Sequence, residues 1–139
     1  MELTKALAWS AERKNAVLIT LRKDGRAQSS DIVYAITDGR FEISLTDDRA
    51  KTVNMRRDPR VVLHITEPGS WSYLSFDGTV ELTAVTTTVG DATSDLLVDY
   101  YEKVAGEPHS DWDEYRQAMV DEGRLIAVFT PTKVVGQIH

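Results

Sequence analysis

Between Arg49 and Arg60 the chain carries Arg49, Lys51, Arg56, Arg57 and Arg60 against the single acid Asp58, a net +4 over twelve residues of a sequence whose formal charge is −6. Asp47-Asp48 precede this run and Pro59 stops it, so it reads as a short helix over Arg49 to Asp58 with Asp48 as N-cap. Arg49 and Lys51 then fall in the first turn, beside backbone N–H groups that have no helical carbonyl to bond. Cations at that end oppose the helix dipole, and the placement becomes favourable once an anion sits on the exposed N–H groups. A helix start of this composition is a physical site for a phosphate. Ser44 and Thr46, on the polar face of the preceding strand, add hydroxyl donors. The same run would also serve as a solvated face, or pair with the segment Asp91–Glu122, where ten acids stand against Lys103 and Arg116. Asp47 and Asp48 offer some of that compensation internally.

A second group is aromatic and polar. Trp71 and Tyr73 share one strand face, with Leu74, Phe76 and Val80 adding apolar bulk, and Gln28-Ser29-Ser30 lies in an earlier strand. Such aromatics stack on a flat ligand, line a dimer contact, or fill a core. Familiar catalytic signatures are missing: there is no G-x-G-x-x-G, Walker loop, H-E-x-x-H or G-x-S-x-G. His64, His109 and His139 are far apart in sequence. The acid-rich run beginning at His109 fits a helix start (Ser110 with Asp113) better than a metal site. No metal is expected.

The elements that must position these residues are short. Leu3, Leu7 and Ala11, four apart, suggest an amphipathic helix in the first dozen residues. Asn15–Arg22 and about Ala27–Thr37 are strands joined at Asp24-Gly25, a hairpin signal. After a second turn at Asp38-Gly39, Phe41, Ile43 and Leu45 alternate with polar residues as a half-buried strand. Beyond the basic helix, Val61, Leu63 and Ile65 resume strand alternation. A long strand spans Trp71–Thr83, bent or broken at Asp77-Gly78. Helices follow at Val89–Ala105, led by Thr88, and from Ser110 to about Glu122. Two closing strands, Arg124–Thr130 and Lys133–Ile138, flank Pro131. A meander of this kind must hide its strand edges, and a small β-barrel with peripheral helices does so.

At 139 residues with 42% hydrophobic and 27% charged positions, residues 1–139 are expected to form one globular domain. The absence of cysteine excludes disulfides and thiolate chemistry. The acidic balance argues against nucleic-acid binding. No apolar run nears the roughly 20 residues of a membrane span. With no leader-like start either, a cytoplasmic protein is expected.

Arg49-Ala50-Lys51-Thr52-Val53-Asn54-Met55-Arg56-Arg57-Asp58-Pro59-Arg60 resembles the R-A-K-x-x-N-[LM]-R-R-D-P-R signature of split-barrel flavin and deazaflavin proteins, the pyridoxamine 5′-phosphate oxidase-like group. The hairpin Lys23–Ser30 is similar to that group's D-G-R-P-Q motif, with Ala27 in place of Pro. Trp71-Ser72-Tyr73 and the stretch from Ala105 to Met119 resemble the mycobacterial-type branch that uses the deazaflavin coenzyme F-420. The resemblance implies a mainly β split barrel, a homodimer, and a cofactor in the groove between subunits. It implies that Arg49 and Lys51, with Ser44, Thr46, Ala50 and Asn54, hold the cofactor phosphate. Gln28 and Ser30 would lie near the ring, and Trp71 and Tyr73 would come from the partner. The oligoglutamate tail of F-420 adds carboxylates that Arg56, Arg57 and Arg60 suit. The implied activity is hydride transfer between F-420 and a conjugated small molecule. FMN-dependent chemistry on the same barrel and a non-catalytic carrier are the alternatives. No side chain is compelled to be a catalytic acid; Tyr73 and His64 are candidates only if they reach the ring.

Overall fold

A computed structural model describes residues 1–139. The elements in chain order are α1 (Leu3–Ala11), β1 (Asn15–Leu21), β2 (Ala27–Val33), β3 (Ala35–Thr37), β4 (Arg40–Thr46), α2 (Ala50–Arg57), β5 (Arg60–Thr66), β6 (Tyr73–Leu82), α3 (Ala92–Ala105), α4 (Trp112–Glu122) and β7 (Arg124–Gln137). The seven strands form one antiparallel sheet in the order β2-β1-β5-β6-β7-β4-β3. The sheet curls into a half-barrel, as the strand alternation of the sequence requires. Its inner face carries Leu18, Ile43, Leu63, Ile65, Leu74, Phe76 and Phe129, each buried to within 1% of complete. Phe41 sits at the centre, its ring 5.0 Å from Tyr34, 5.1 Å from Phe76 and 5.8 Å from Phe129. No helix is long and apolar enough to cross a membrane.

The segment expected as one strand over Ala27–Thr37 is two. β2 pairs with β1 and β3 pairs with β4, at opposite ends of the strand order. The break falls at Tyr34, whose N–H donates to the Lys14 carbonyl (2.9 Å) and whose hydroxyl donates to the Ser10 carbonyl (2.7 Å). Those bonds, with a buried ring, turn the chain inward at one residue, and burial pushes the Tyr34 phenol pKa up. Conversely, the two closing strands expected around Pro131 are one. Asp77 pairs with Lys133 and Gly78 with Pro131, so Thr132 is skipped in a bulge that accommodates the missing proline N–H.

The helix starts shift for a shared reason. Asp91, not Thr88, caps α3: its carboxylate accepts from the N–H groups of Ser94 (2.8 Å), Thr87 (3.0 Å) and Thr88 (3.2 Å) and from the Thr86 hydroxyl. The Ser94 N–H contributes most to holding that carboxyl down at about 2. Asp111, not Ser110, caps α4 through the Glu114 N–H. His109 accepts from the Asp111 N–H at Nδ1 and packs among Tyr101, Trp112 and Tyr115, with ring centroids 5.0–5.8 Å away. In both cases an aspartate wins over the hydroxyl residue written earlier; Asp91 accepts three N–H bonds at once and Asp111 one.

Gly78 is required by contact. A Cβ there would lie 2.2 Å from the Thr130 carbonyl oxygen and 2.8 Å from the Phe129 ring, neither of which can yield without moving β7. Gly78→Ala is therefore expected to lower stability by about 1–3 kcal/mol or more, read as a lower urea midpoint with an unchanged slope.

Candidate functional site

The site is built around α2. Its buried face, Thr52, Asn54 and Met55, fixes it against the sheet. The Thr52 hydroxyl donates to the Thr46 carbonyl at 2.8 Å. The Asn54 amide donates to Gln28 Oε1 (2.7 Å) and Thr20 Oγ1 (3.2 Å), while its Oδ1 accepts from Arg57 (2.9 Å). Arg57 reaches on to the Leu21 carbonyl at 2.9 Å. Asn54 and Gln28 thus tie the helix to β1 and β2.

This leaves the first turn open. Arg49, rather than the expected Asp48, is the N-cap; it is extended (φ −72°, ψ 145°) and its side chain makes no capping bond. Asp48 instead accepts from the Thr46 hydroxyl at 2.9 Å, because the helix begins one residue later than the sequence pattern suggests. The N–H groups of Ala50, Lys51 and Thr52 have no backbone or side-chain acceptor. The five cations of the basic run divide sharply. Arg56 pairs with Asp47 at 2.5 Å, Arg60 bonds Asp58 through Nε (3.0 Å) and Nη2 (2.8 Å), and Arg57 is held as above. The side chains of Arg49 and Lys51 have no hydrogen-bond or ion-pair partner. The compensating acids are Asp47 and Asp58, which flank the helix, and not the acidic helices α3 and α4.

Two clefts meet beside that turn. One of about 290 Å³ is lined by Lys51, Ser44, Asp31, Ile32, Val33, Asn15 and Tyr100. It shares Asn15, Asp31 and Ile32 with a second of about 330 Å³ that extends to His64 and Thr66. On the other side of the helix start, a cavity of about 420 Å³ is bordered by Ala50, Asn54 and Gln28 and by the cations Arg22, Lys23 and Arg57. Ser30 lies on the β2 face between Gln28 and Ile32, two residues from Gln28 on the wall of one cavity and two from Ile32 on the wall of the other. Of the residues singled out by sequence, Ser44 and Lys51 therefore share a cleft, Gln28, Ala50 and Asn54 share the other cavity, and Thr46, Arg49 and Arg56 line neither, lying at the end of β4, at the α2 N-cap and in the last turn of α2. Trp71 and Tyr73 do not line the Lys51 cleft. Trp71 is 84% exposed, and Tyr73 stacks on His64 at 5.6 Å.

Three residues at this site escape sequence reading. Asp31 lies one strand position past Ser30. Tyr100, on α3, donates its hydroxyl to the Val33 carbonyl at 2.9 Å, and burial pushes its pKa up. Arg124 is brought opposite Thr46 by the β4–β7 register. Only the tertiary pairing reveals the last two. The Lys51 ammonium is held below its usual pKa, first by burial, then by Arg49 and Arg124, with Asp31 acting against them.

A curled seven-stranded antiparallel half-barrel with four helices defines a split-barrel protein, and its cationic helix start opens beside a cleft. The chain belongs to the pyridoxamine 5′-phosphate oxidase family, whose description matches residues 3–137. It is similar to a conserved hypothetical protein from Mycobacterium tuberculosis (20% identity, 98% of this chain and 84% of that one, TM-score 0.78). It is also similar to an F-420 reductase (26% identity, 91% and 94%, TM-score 0.66) and to an FAD-binding protein from Mesorhizobium loti (19% identity, 98% and 92%, TM-score 0.70).

The lowered Lys51 pKa sets a pH dependence. If a phosphate ester uses the charged ammonium, its affinity is expected to fall as pH rises through a range below the ordinary lysine value of 10.5. Isothermal titration with FMN across alkaline pH checks this, and Lys51→Arg, whose guanidinium keeps its proton there, is expected to flatten the dependence.

Proposed function

We propose that the protein is an F-420-dependent oxidoreductase that binds the cofactor phosphate at the start of α2. The observation that carries the reading is that Arg49 and Lys51, alone among the cations of the basic run, are unpaired and stand beside three unbonded N–H groups. That donor set is chemically matched to a phosphate: several N–H dipoles and two positive charges converge on one region. Ser44, on the wall of the same cleft, adds a hydroxyl, and Thr46 adds another if it turns from Asp48. Ala50 contributes its backbone N–H. Asn54 acts by orientation, since its buried amide is fully engaged in holding the helix.

The adjoining clefts receive the flat ring along β2, past Ser30 and Gln28. When bound, the reduced deazaflavin supplies a hydride to a conjugated small molecule. The chain's own residues position the ring, exclude water from the cleft and set the local charge. Asp31 and Asn15 stand where the two clefts meet, and His64 closes the far end.

Two features favour the deazaflavin over FMN. The cavity of about 420 Å³ beyond Ala50 carries Lys23 on its border, with Arg22 paired to Asp24 and Arg57 bonded to Asn54 and the Leu21 carbonyl, offering room and positive charge for the oligoglutamate carboxylates. Arg56, half-exposed in its pair with Asp47, provides a further fork at the rim on exchange of that aspartate. We also propose a homodimer in which the partner contributes Trp71 and Tyr73. Trp71 is 84% exposed, and Val135, 52% exposed, lies on the strand paired with the one that carries Tyr73, an apolar surface suited to a second copy.

Titration of the apo-protein with F-420 and FMN decides the cofactor, and turnover of reduced F-420 with a panel of conjugated acceptors separates an enzyme from a carrier. Lys51→Ala and Arg49→Ala are each expected to weaken cofactor binding by about 1–3 kcal/mol, the value of a charge-assisted hydrogen bond; unchanged affinity in both removes the phosphate assignment. Sedimentation of Trp71→Glu is expected to show a shift from dimer to monomer.

A further inference from the structure

Arg124 begins β7 and lies directly across from Thr46 at the end of β4. Opposite residues of an antiparallel pair project to the same side, and two positions back along β4 that side carries Ser44, which shares its cleft with Lys51. A second tie fixes the corner. The Asp47 N–H donates to the Gly123 carbonyl at 2.9 Å, clamping Glu122-Gly123-Arg124 to the junction that leads into α2. Gly123 makes the turn possible in the left-handed conformation, φ 65°. The Arg124 backbone is therefore fixed beside the junction that leads into α2, and the charge of its side chain is felt at Lys51 along with that of Arg49.

Unlike Arg49 and Lys51, Arg124 has a partner. Its Nε and Nη2 both donate to Oε1 of Glu122, at 3.1 Å and 2.9 Å. Glu122 is the last residue of α4, where a carboxylate meets the negative end of the helix dipole. The helix gives it no favourable interaction there, and Arg124 is the group that holds it. The two side chains are 29% and 44% exposed, so water screens the pair and it is weak. The other nearby acids are otherwise placed: Asp47 is on Arg56, Asp48 accepts from the Thr46 hydroxyl, and Asp31 lines the cleft with Lys51.

We propose that Arg124 is a third cation of the phosphate site and that Glu122 is its built-in counter-ion, released when a phosphate ester takes its place on the guanidinium. The inference rests on the phosphate reading of the α2 start. It gives Glu122 a role in selectivity. A monoanionic carboxylate merely replaces like with like on Arg124, whereas a phosphate dianion brings more charge and more acceptor oxygens than the glutamate it displaces.

The test compares ligands that differ only in the phosphate: FMN against riboflavin, and phosphorylated 8-hydroxy-5-deazaflavin riboside against its unphosphorylated form, using whichever pair the protein binds more tightly. The readout is the ratio of affinities within the pair, which cancels contributions of the ring. Arg124→Gln is expected to lower that preference about tenfold. Glu122→Gln is expected to raise it about 2- to 5-fold, with affinity for the unphosphorylated ligand unchanged in both variants. A Glu122→Gln preference equal to or below that of the parent protein overturns the counter-ion assignment. Equal weakening of both ligands by Arg124→Gln marks a structural role and overturns the cation assignment. Lys51→Ala separates the two levels: a preference that survives it refutes the phosphate site itself, while one that falls with Lys51→Ala but not with Arg124→Gln refutes only the role of Arg124.

Discussion

The buried amide of Asn54 governs the orientation of everything at the site. Only 7% exposed, it uses both N–H groups on Thr20 and Gln28 and its oxygen on Arg57. A buried polar group left without such partners costs about 1–3 kcal/mol, so α2 cannot swivel on the sheet without breaking several bonds at once. Because the lock grips the middle of an eight-residue helix, its first turn is held in place with none of its own donors used. The helix is secured through its centre and left chemically vacant at its beginning.

The charges of the same segment sort along that geometry. Arg56 and Arg60 are neutralised by aspartates that bracket the helix, and Arg57 serves the backbone of β1. These contacts account for much of what first looks like an excess of positive charge. The remaining two cations stand at the end of the helix where the dipole is least hospitable to them, and burial adds to the cost for Lys51. Arrangements in which several local preferences are violated together concentrate at functional sites.

Most of the architecture was legible in the chain. Period-two alternation located β4 and β5, and Asp-Gly pairs located the turns before β2 and β4, since those signals are local. Boundaries failed where competition between neighbouring groups decides the outcome. Asp91 outbid Thr88 because one carboxylate satisfies three N–H groups. Residues 124–137 stayed one strand because the bulge against Gly78 absorbs a proline that local rules treat as a stop. The core of the site, Arg49 to Asn54, was visible as a charge anomaly and as a motif. Tyr100 and Arg124 were not, because nothing in their own surroundings marks them; the pairing of β4 with β7 and the packing of α3 bring them in. The pairing partners of Arg56 and Arg60 were also hidden, since the sequence showed that acids were abundant but not which were near.

The division of residues 27–37 at Tyr34 has a kinetic side. Its two halves join opposite margins of the sheet, β2 beside β1 and β3 beside β4. One half can form at once as a local hairpin. The other has its own short hairpin with β4, but that unit reaches the rest of the sheet only through β7, roughly eighty residues downstream. Loop-closure entropy must be overcome before those contacts repay it. The wall that bears Ser44 therefore joins the rest of the sheet through the contact of longest sequence separation, that of β4 with β7.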